Sequence, residues 1–218
     1  SADVLEEWQG MGYNRRALSL WKAAGMVSAR GGQMPRAYAD LLALPGIGPA
    51  TAAGIRAFSY NLPGVYLETN VRSVFIHELY PDAVDVTDRE LLPLVERSCP
   101  MDDSDPNDDP RTWYYALLDY GAYLKRTLPN PSRRSASHVR QSKFEGSHRQ
   151  KRAEVVRILL AHRTDTRGGA SAAAIADELG EREERRGRTC LSVADVESIL
   201  EELAKEGFCR LRDGIWLA

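Results

Sequence analysis

The chain has 218 residues, of which 43% are hydrophobic and 28% charged, and its formal net charge is -2. That composition suits one large or two small soluble domains, and the near-neutral balance neither marks nor excludes a nucleic-acid binder, because local charge distribution matters more than the sum. Cys99, Cys190 and Cys209 lie far apart without metal-ligand spacing, which argues against a zinc site, an iron–sulfur cluster and a secreted disulfide framework, while the lack of any apolar run near ~20 residues argues against a membrane span.

In chain order, Val4, Leu5 and Trp8 recur at helical spacing until Gly10-Met11-Gly12 breaks the run. Ser1 already stands inside this pattern, so the sequence reads as the remainder of a longer, N-terminally truncated domain. Ala17, Leu18, Trp21, Ala24 and Val27 form a second apolar stripe, closed by Gly31-Gly32. Short helices follow around Tyr38 to Leu42 and over Ala50 to Tyr60, then Asn70 to Leu79, Asp88 to Arg97 and Thr112 to Leu124. No period-two alternation interrupts them, so this region is predicted all-α.

Two loops differ sharply in charge. Residues 100–110 carry Asp102, Asp103, Asp105, Asp108 and Asp109; the glycine and final glutamate of a calcium loop are missing, and a solvated acidic loop is expected. Residues 125–152 are basic and serine-rich, with Lys125, Arg126, Arg133, Arg134, Arg140, Lys143, Arg149, Lys151 and Arg152. They read as a linker that also contacts phosphates.

From Ala153 the pattern becomes a small α+β unit over 153–218. Two helices precede Ser192, the second over Ala172 to Leu179 and closed by Gly180, and Ser192 reads as the N-cap of a third with Asp195 at the capping-box position. Gly207 ends that helix, and two short strands flank Asp213-Gly214, a hairpin turn signal. Three helices and a terminal hairpin make a winged-helix-like layout. Glu197, Glu201, Glu202 and Glu206 leave its third helix acidic, which favours packing or protein binding over insertion in a DNA groove. Trp21, Trp113 and Trp216 are expected in cores, and the four histidines show no ligand spacing.

The segment Leu44-Pro45-Gly46-Ile47-Gly48-Pro49-Ala50-Thr51-Ala52 carries the functional reading. Two helices meet at a turn with glycines at alternate positions, which permits unusual backbone geometry and close approach of an anion. Free amides at the start of the second helix, aided by its dipole, face that anion. Such a grip on phosphate is independent of base sequence.

With Trp8-Gln9-Gly10-Met11-Gly12-Tyr13, Arg16-Ala17 and Leu67-Glu68-Thr69-Asn70-Val71-Arg72-Ser73-Val74 in the same order, residues 1–145 resemble the HhH-GPD superfamily of DNA glycosylases, nearest its adenine glycosylase and endonuclease III branch. The resemblance implies a mostly α fold built on a helix–hairpin–helix, and hydrolysis of the N-glycosidic bond of a damaged or mispaired base in double-stranded DNA. Glu68 takes the place of the family's catalytic aspartate, where a carboxylate stabilises positive charge developing on the sugar. Gly46, Ile47, Gly48, Ala50, Thr51 and Arg72 are the implied DNA contacts. Ala50 stands where bifunctional members carry the lyase lysine, so strand cleavage through a Schiff base is not expected.

The resemblance also implies a potassium or sodium ion on the backbone carbonyls of Leu42, Leu44 and Ile47. Tyr120 to Leu124 matches the helix before the branch's iron–sulfur loop, but its four cysteines are missing, so no cluster and no required cofactor are expected. The early glutamate that protonates adenine has no counterpart. A cytoplasmic monomer is expected. Two alternatives stay open: a DNA-binding relative without catalysis, and a regulator acting through the winged-helix-like unit.

Overall fold

The computed structural model describes residues 1–101, 105, 108–140, 142–164 and 168–218. The helices are α1 (Ala2–Glu7), α2 (Asn14–Ala29), α3 (Tyr38–Leu42), α4 (Pro49–Gly54), α5 (Thr69–Leu79), α6 (Asp88–Ser98), α7 (Pro110–Thr127), α8 (His148–Ala161), α9 (Ala172–Glu184) and α10 (Val193–Glu206). Strands β1 (Gly169–Ala170), β2 (Arg210–Arg212) and β3 (Ile215–Leu217) form an antiparallel sheet in the order β1-β3-β2. No helix among the described residues is long and apolar enough to cross a membrane.

Two compact units result, one of residues 31–140 and one joining residues 1–30 to 141–218. This differs from a simple division near residue 145. The first thirty residues group with the C-terminal helices because Leu5, Ala17 and Leu18 are buried in one apolar cluster with Val155, Leu159, Ile175 and Leu200. The buried face of α2 is Ala17, Leu18 and Ala23. Trp21 is turned outward and nearly half exposed, contrary to its expected core position.

In the unit of residues 31–140, α5 packs on α7. Val71, Val74 and Ile76 of α5 meet Leu91 and Val95 of α6 and Tyr114, Leu117 and Leu124 of α7 in one core. Local signals start each helix. Thr87 and Glu90 form a reciprocal capping box for α6. Asp109 accepts hydrogen bonds from the Arg111 and Thr112 amides at 2.9 and 3.0 Å. It is a buried helix cap rather than a solvated loop acid, and the loop's Asp102 and Asp103 lie outside the described residues.

The basic stretch is more structured than a linker. Residues 125–127 close α7, Pro131–Arg134 form a 3-10 turn and α8 starts at His148. Arg134 donates to the carbonyls of Ile76, Tyr80, Pro81 and Ala83 at 2.5–3.3 Å, satisfying the C-terminal end of α5 and the turn after it. Arg152 pairs with Glu202 and Glu206 at 2.6 and 2.8 Å. His148 reaches Glu202 at 2.9 Å and Arg15 reaches Glu206 at 2.6 Å. Part of the acidity of α10 is thus matched within its own unit.

The C-terminal unit adds a strand missed in the sequence, β1, paired with Trp216 and Leu217 of β3. Helix α9 runs through Gly180 to Glu184 instead of stopping at the glycine. Its last turn is held by Glu183, which is fully buried. Arg188 donates to that carboxylate at 2.8 Å from two nitrogens, and Gln150 adds a third bond at 3.2 Å.

The Arg188 guanidinium holds the Glu183 carboxyl below the usual carboxylate range. An acid so depressed contributes stability that is complete above its unfolded value of ~4.3 and is lost as pH falls through the folded value. Melting curves from pH 7 to pH 3 should show Tm falling in the acid range for the wild type. Glu183→Gln should be less stable by about 3 kcal/mol at pH 7 and depend less on pH. Parallel pH curves for the two proteins would remove Glu183 from the acid response.

Candidate active site

Helices α3 and α4 are joined by the turn Ala43–Gly48, the hairpin expected from the sequence. Gly46 has φ +75°, a left-handed conformation that favours glycine. Gly48 does not: at φ −91°, ψ 177° it caps α4 in extended geometry open to any residue. A side chain there would meet nothing within 4 Å, so its smallness matters only toward a group arriving from outside. Pro49 occupies the first turn of α4, where a missing amide is harmless. The amides of Gly48, Ala50 and Thr51 have no acceptor among the described residues. The carbonyls of Leu42 and Ile47 likewise receive no amide there, whereas that of Leu44 accepts the Ile47 amide at 3.2 Å.

The second helix of the hairpin is not α-helical to Tyr60. After Gly54 it widens into a π-helical turn over Ile55–Ser59, a distortion frequent at functional sites. One face of this helix lines a cavity of about 420 Å³, through Ala50, Thr51, Gly54, Ile55, Phe58 and Ser59. Tyr66 and Glu68 complete the lining. Any side chain at position 54 would press on the Tyr66 ring, with 3.0 Å between its Cβ and Cε2.

Glu68 is the N-cap of α5. Its Oε1 accepts the amides of Asn70 at 2.5 Å and Val71 at 3.2 Å. These two bonds fix the carboxylate against the first turn of α5. Oε2 takes no hydrogen bond among the described residues. The site is therefore a half-buried carboxylate, one oxygen anchored and one uncommitted, on a cavity with aromatic and aliphatic walls. Tyr66 is shifted toward a higher pKa by burial and then by the Glu68 charge, so its phenol stays neutral beside the carboxylate.

No protein-family model matches the chain. Over 122 residues, 56% of its length, it is 29% identical to the adenine DNA glycosylase of Buchnera aphidicola subsp. Baizongia pistaciae and 33% identical to that of Mycolicibacterium smegmatis. A stretch of 75 residues is 36% identical to the adenine DNA glycosylase of Mycobacterium tuberculosis. The chain is similar to adenine DNA glycosylases over about half of its length. The match spans only 33% and 40% of the first two glycosylases. It agrees with the HhH-GPD resemblance carried by the hairpin and the Glu68 segment.

Of the residues expected from that resemblance, Ala50, Thr51 and Glu68 meet at the cavity. Gly46, Ile47 and Gly48 form the adjoining turn. Arg72 points elsewhere: it is mostly buried and forms a two-pronged pair with Asp88 at 3.0 and 2.9 Å. Trp8 to Ala17 belongs to the other compact unit. Sequence reasoning missed Phe58, Tyr66 and Tyr114, which stack edge-on, Phe58 with Tyr66 at 5.3 Å and Tyr66 with Tyr114 at 5.4 Å. Aromatic residues scattered along the chain look like ordinary core, and only the tertiary fold turns two of them to a cavity.

Proposed function

We propose that this chain supplies the DNA grip and the catalytic carboxylate of a monofunctional DNA glycosylase acting on adenine or another mispaired or damaged base. One observation carries the reading. Glu68, fixed at the cap of α5, shares a single cavity with the start of α4, where the hairpin amides are free. A base turned out of the duplex needs apolar and aromatic walls, and Ile55, Phe58 and Tyr66 offer them.

In this scheme the bond between the base and C1′ of the sugar breaks with its electron pair leaving on the base. Positive charge grows on the sugar, and the ionised Glu68 stabilises it. Its uncommitted Oε2 orients a water and takes the proton as the water oxygen bonds to C1′. The departing base takes up a proton from solvent and Glu68 returns its proton to solvent, so the products are a free base and an intact abasic strand. Glu68 stands where the family has aspartate, and the amides of Asn70 and Val71 fix its carboxylate, which supports its use in this role.

The hairpin amides of Gly48, Ala50 and Thr51 are proposed to hold a DNA phosphate. The carbonyls of Leu42, Leu44 and Ile47 would suit a potassium or sodium ion, whose charge would strengthen that grip. Arg72, given its pair with Asp88, serves by bracing α5. No lysine among the described residues lines the cavity, which supports excision without a Schiff base, and the spacing of the cysteines supports an enzyme without an iron–sulfur cluster. The C-terminal unit is proposed to be winged-helix-like. The exposed Glu197 and Glu201 on α10 oppose its entry into a DNA groove.

Arg126, Arg133 and Arg140 are exposed and have no ion-pair partner among the described residues. With the exposed Lys143, they are the cations of the basic stretch placed to meet phosphates. Changing each to glutamine should reduce the slope of log affinity against log salt by about 0.9 for every phosphate no longer neutralised, without preference for any sequence. An unchanged slope would limit the stretch to its structural role. The function itself is tested by excision from duplexes with adenine opposite 8-oxoguanine, uracil, hypoxanthine and alkylated bases, read after alkali.

A further inference from the structure

The extended segment that delivers Glu68 has little to hold it. From residue 63 to residue 67 it makes no backbone–backbone hydrogen bond among the described residues. Side chains do that work instead. Arg56 donates to the Pro63 carbonyl at 3.2 and 3.1 Å. Tyr114 of α7 donates its hydroxyl hydrogen to the Gly64 carbonyl and accepts the Tyr66 amide at 3.1 Å. Tyr114 is fully buried. A phenylalanine would fill the same space without the cost of burying a hydroxyl, so packing alone does not account for this residue.

Helix α7 makes a second contact just beyond the carboxylate. Gly121 lies two turns after Tyr114, roughly 10 Å along the same helix face. A Cβ there would stand 2.8 Å from the Cα of Asn70, an overlap with backbone that cannot rotate away. The helix therefore touches the chain at residues 64–66 and again at residue 70. Glu68 stands between these two contacts.

We infer that Tyr114 and Gly121 are positioning residues for base excision, together fixing where the Glu68 carboxylate stands against the cavity. The inference rests on the glycosylase reading given above. Neither residue touches the reacting atoms. They act through the backbone on which Glu68 is mounted. A shift of the carboxylate by a fraction of an ångström lowers the rate of the chemical step without altering the phosphate grip, which lies on α4.

The test is single-turnover excision by Tyr114→Phe beside Leu117→Val, a change in the same core and on the same helix that leaves both contacts intact. Tyr114→Phe is expected to lower the excision rate by roughly tenfold or more, with affinity for a duplex carrying an uncleavable abasic analogue unchanged. Leu117→Val should excise like the wild type even if it melts earlier. Hydrogen exchange at the Tyr66, Asn70 and Val71 amides, read without DNA, should quicken in Tyr114→Phe and not in Leu117→Val. Gly121→Ala should repeat both effects; if it does not fold, Tyr114→Phe decides alone. Wild-type rate and wild-type exchange in Tyr114→Phe would overturn the inference. If the wild type itself excises nothing, the glycosylase reading fails, and the exchange result decides whether α7 fixes this segment.

Discussion

Replacing Glu68 with glutamine is expected to stop base excision while leaving the protein on its DNA. The glutamine carbonyl still accepts the Asn70 and Val71 amides, so the cap of α5 survives. What disappears is the negative charge beside the cavity. Loss of one group aimed at developing charge costs on the order of 10²–10³ in rate, and a full carboxylate opposite an oxocarbenium-like sugar should cost at least that. The hairpin amides lie on a different element, so binding of an abasic-analogue duplex should stay within about twofold of wild type. Glu68→Asp should keep most activity, because aspartate is itself a favoured N-cap and its carboxylate meets the same amides. Excision surviving in Glu68→Gln would remove this residue from the chemistry.

A lysine at position 50 should add an activity. Ala50 and Glu68 line the same cavity of about 420 Å³, so an amine on the first turn of α4 would be presented to the sugar that Glu68 faces. After excision, the lysine nitrogen can attack C1′ of the opened sugar and expel water, giving a Schiff base. Loss of the C2′ proton then releases the 3′ phosphate and nicks the strand. Ala50→Lys is expected to cleave without alkali and to be trapped on DNA by borohydride, whereas the wild type does neither. Phe58 and Tyr66 on the same cavity would keep the new amine partly desolvated, which favours its neutral, nucleophilic form. Failure of Ala50→Lys to form any trapped complex, with excision intact, would place Ala50 away from the reacting sugar.

Much of this site was legible in the sequence because its parts are short and local. Gly46 between two apolar runs marks a turn whatever the tertiary fold. Glu68 is legible through the resemblance of its segment; its capping of α5, where Oε1 accepts the Asn70 and Val71 amides, is visible only in the structure. Ser192 with Asp195 and Gly207 bound α10 by local signals. What was not legible depends on distant partners. The π-helical turn after Gly54 has no local marker, and it sets which of Ile55, Phe58 and Ser59 reach the cavity. Gly180 looked like a helix end, but burial of Glu183 against Arg188 carries α9 past it. Residues 1–30 looked continuous with the hairpin, yet Leu5, Ala17 and Leu18 find their apolar partners on α8, α9 and α10, a pairing that no periodicity encodes. Arg134 shows the same limit: within a run of cations it looks like a phosphate contact, and it proves to cap the carbonyls at the end of α5.

This carboxylate and this hairpin are proposed to excise a base and leave the strand whole. Single-turnover reaction with a duplex carrying adenine opposite 8-oxoguanine, sampled with and without alkali, measures it most directly. The expected result is free adenine released at a rate that Glu68→Gln abolishes, with strand breaks appearing only after alkali. Tight binding with no base released from that duplex, or from those carrying uracil, hypoxanthine or alkylated bases, would contradict it and leave a DNA clamp without the chemistry.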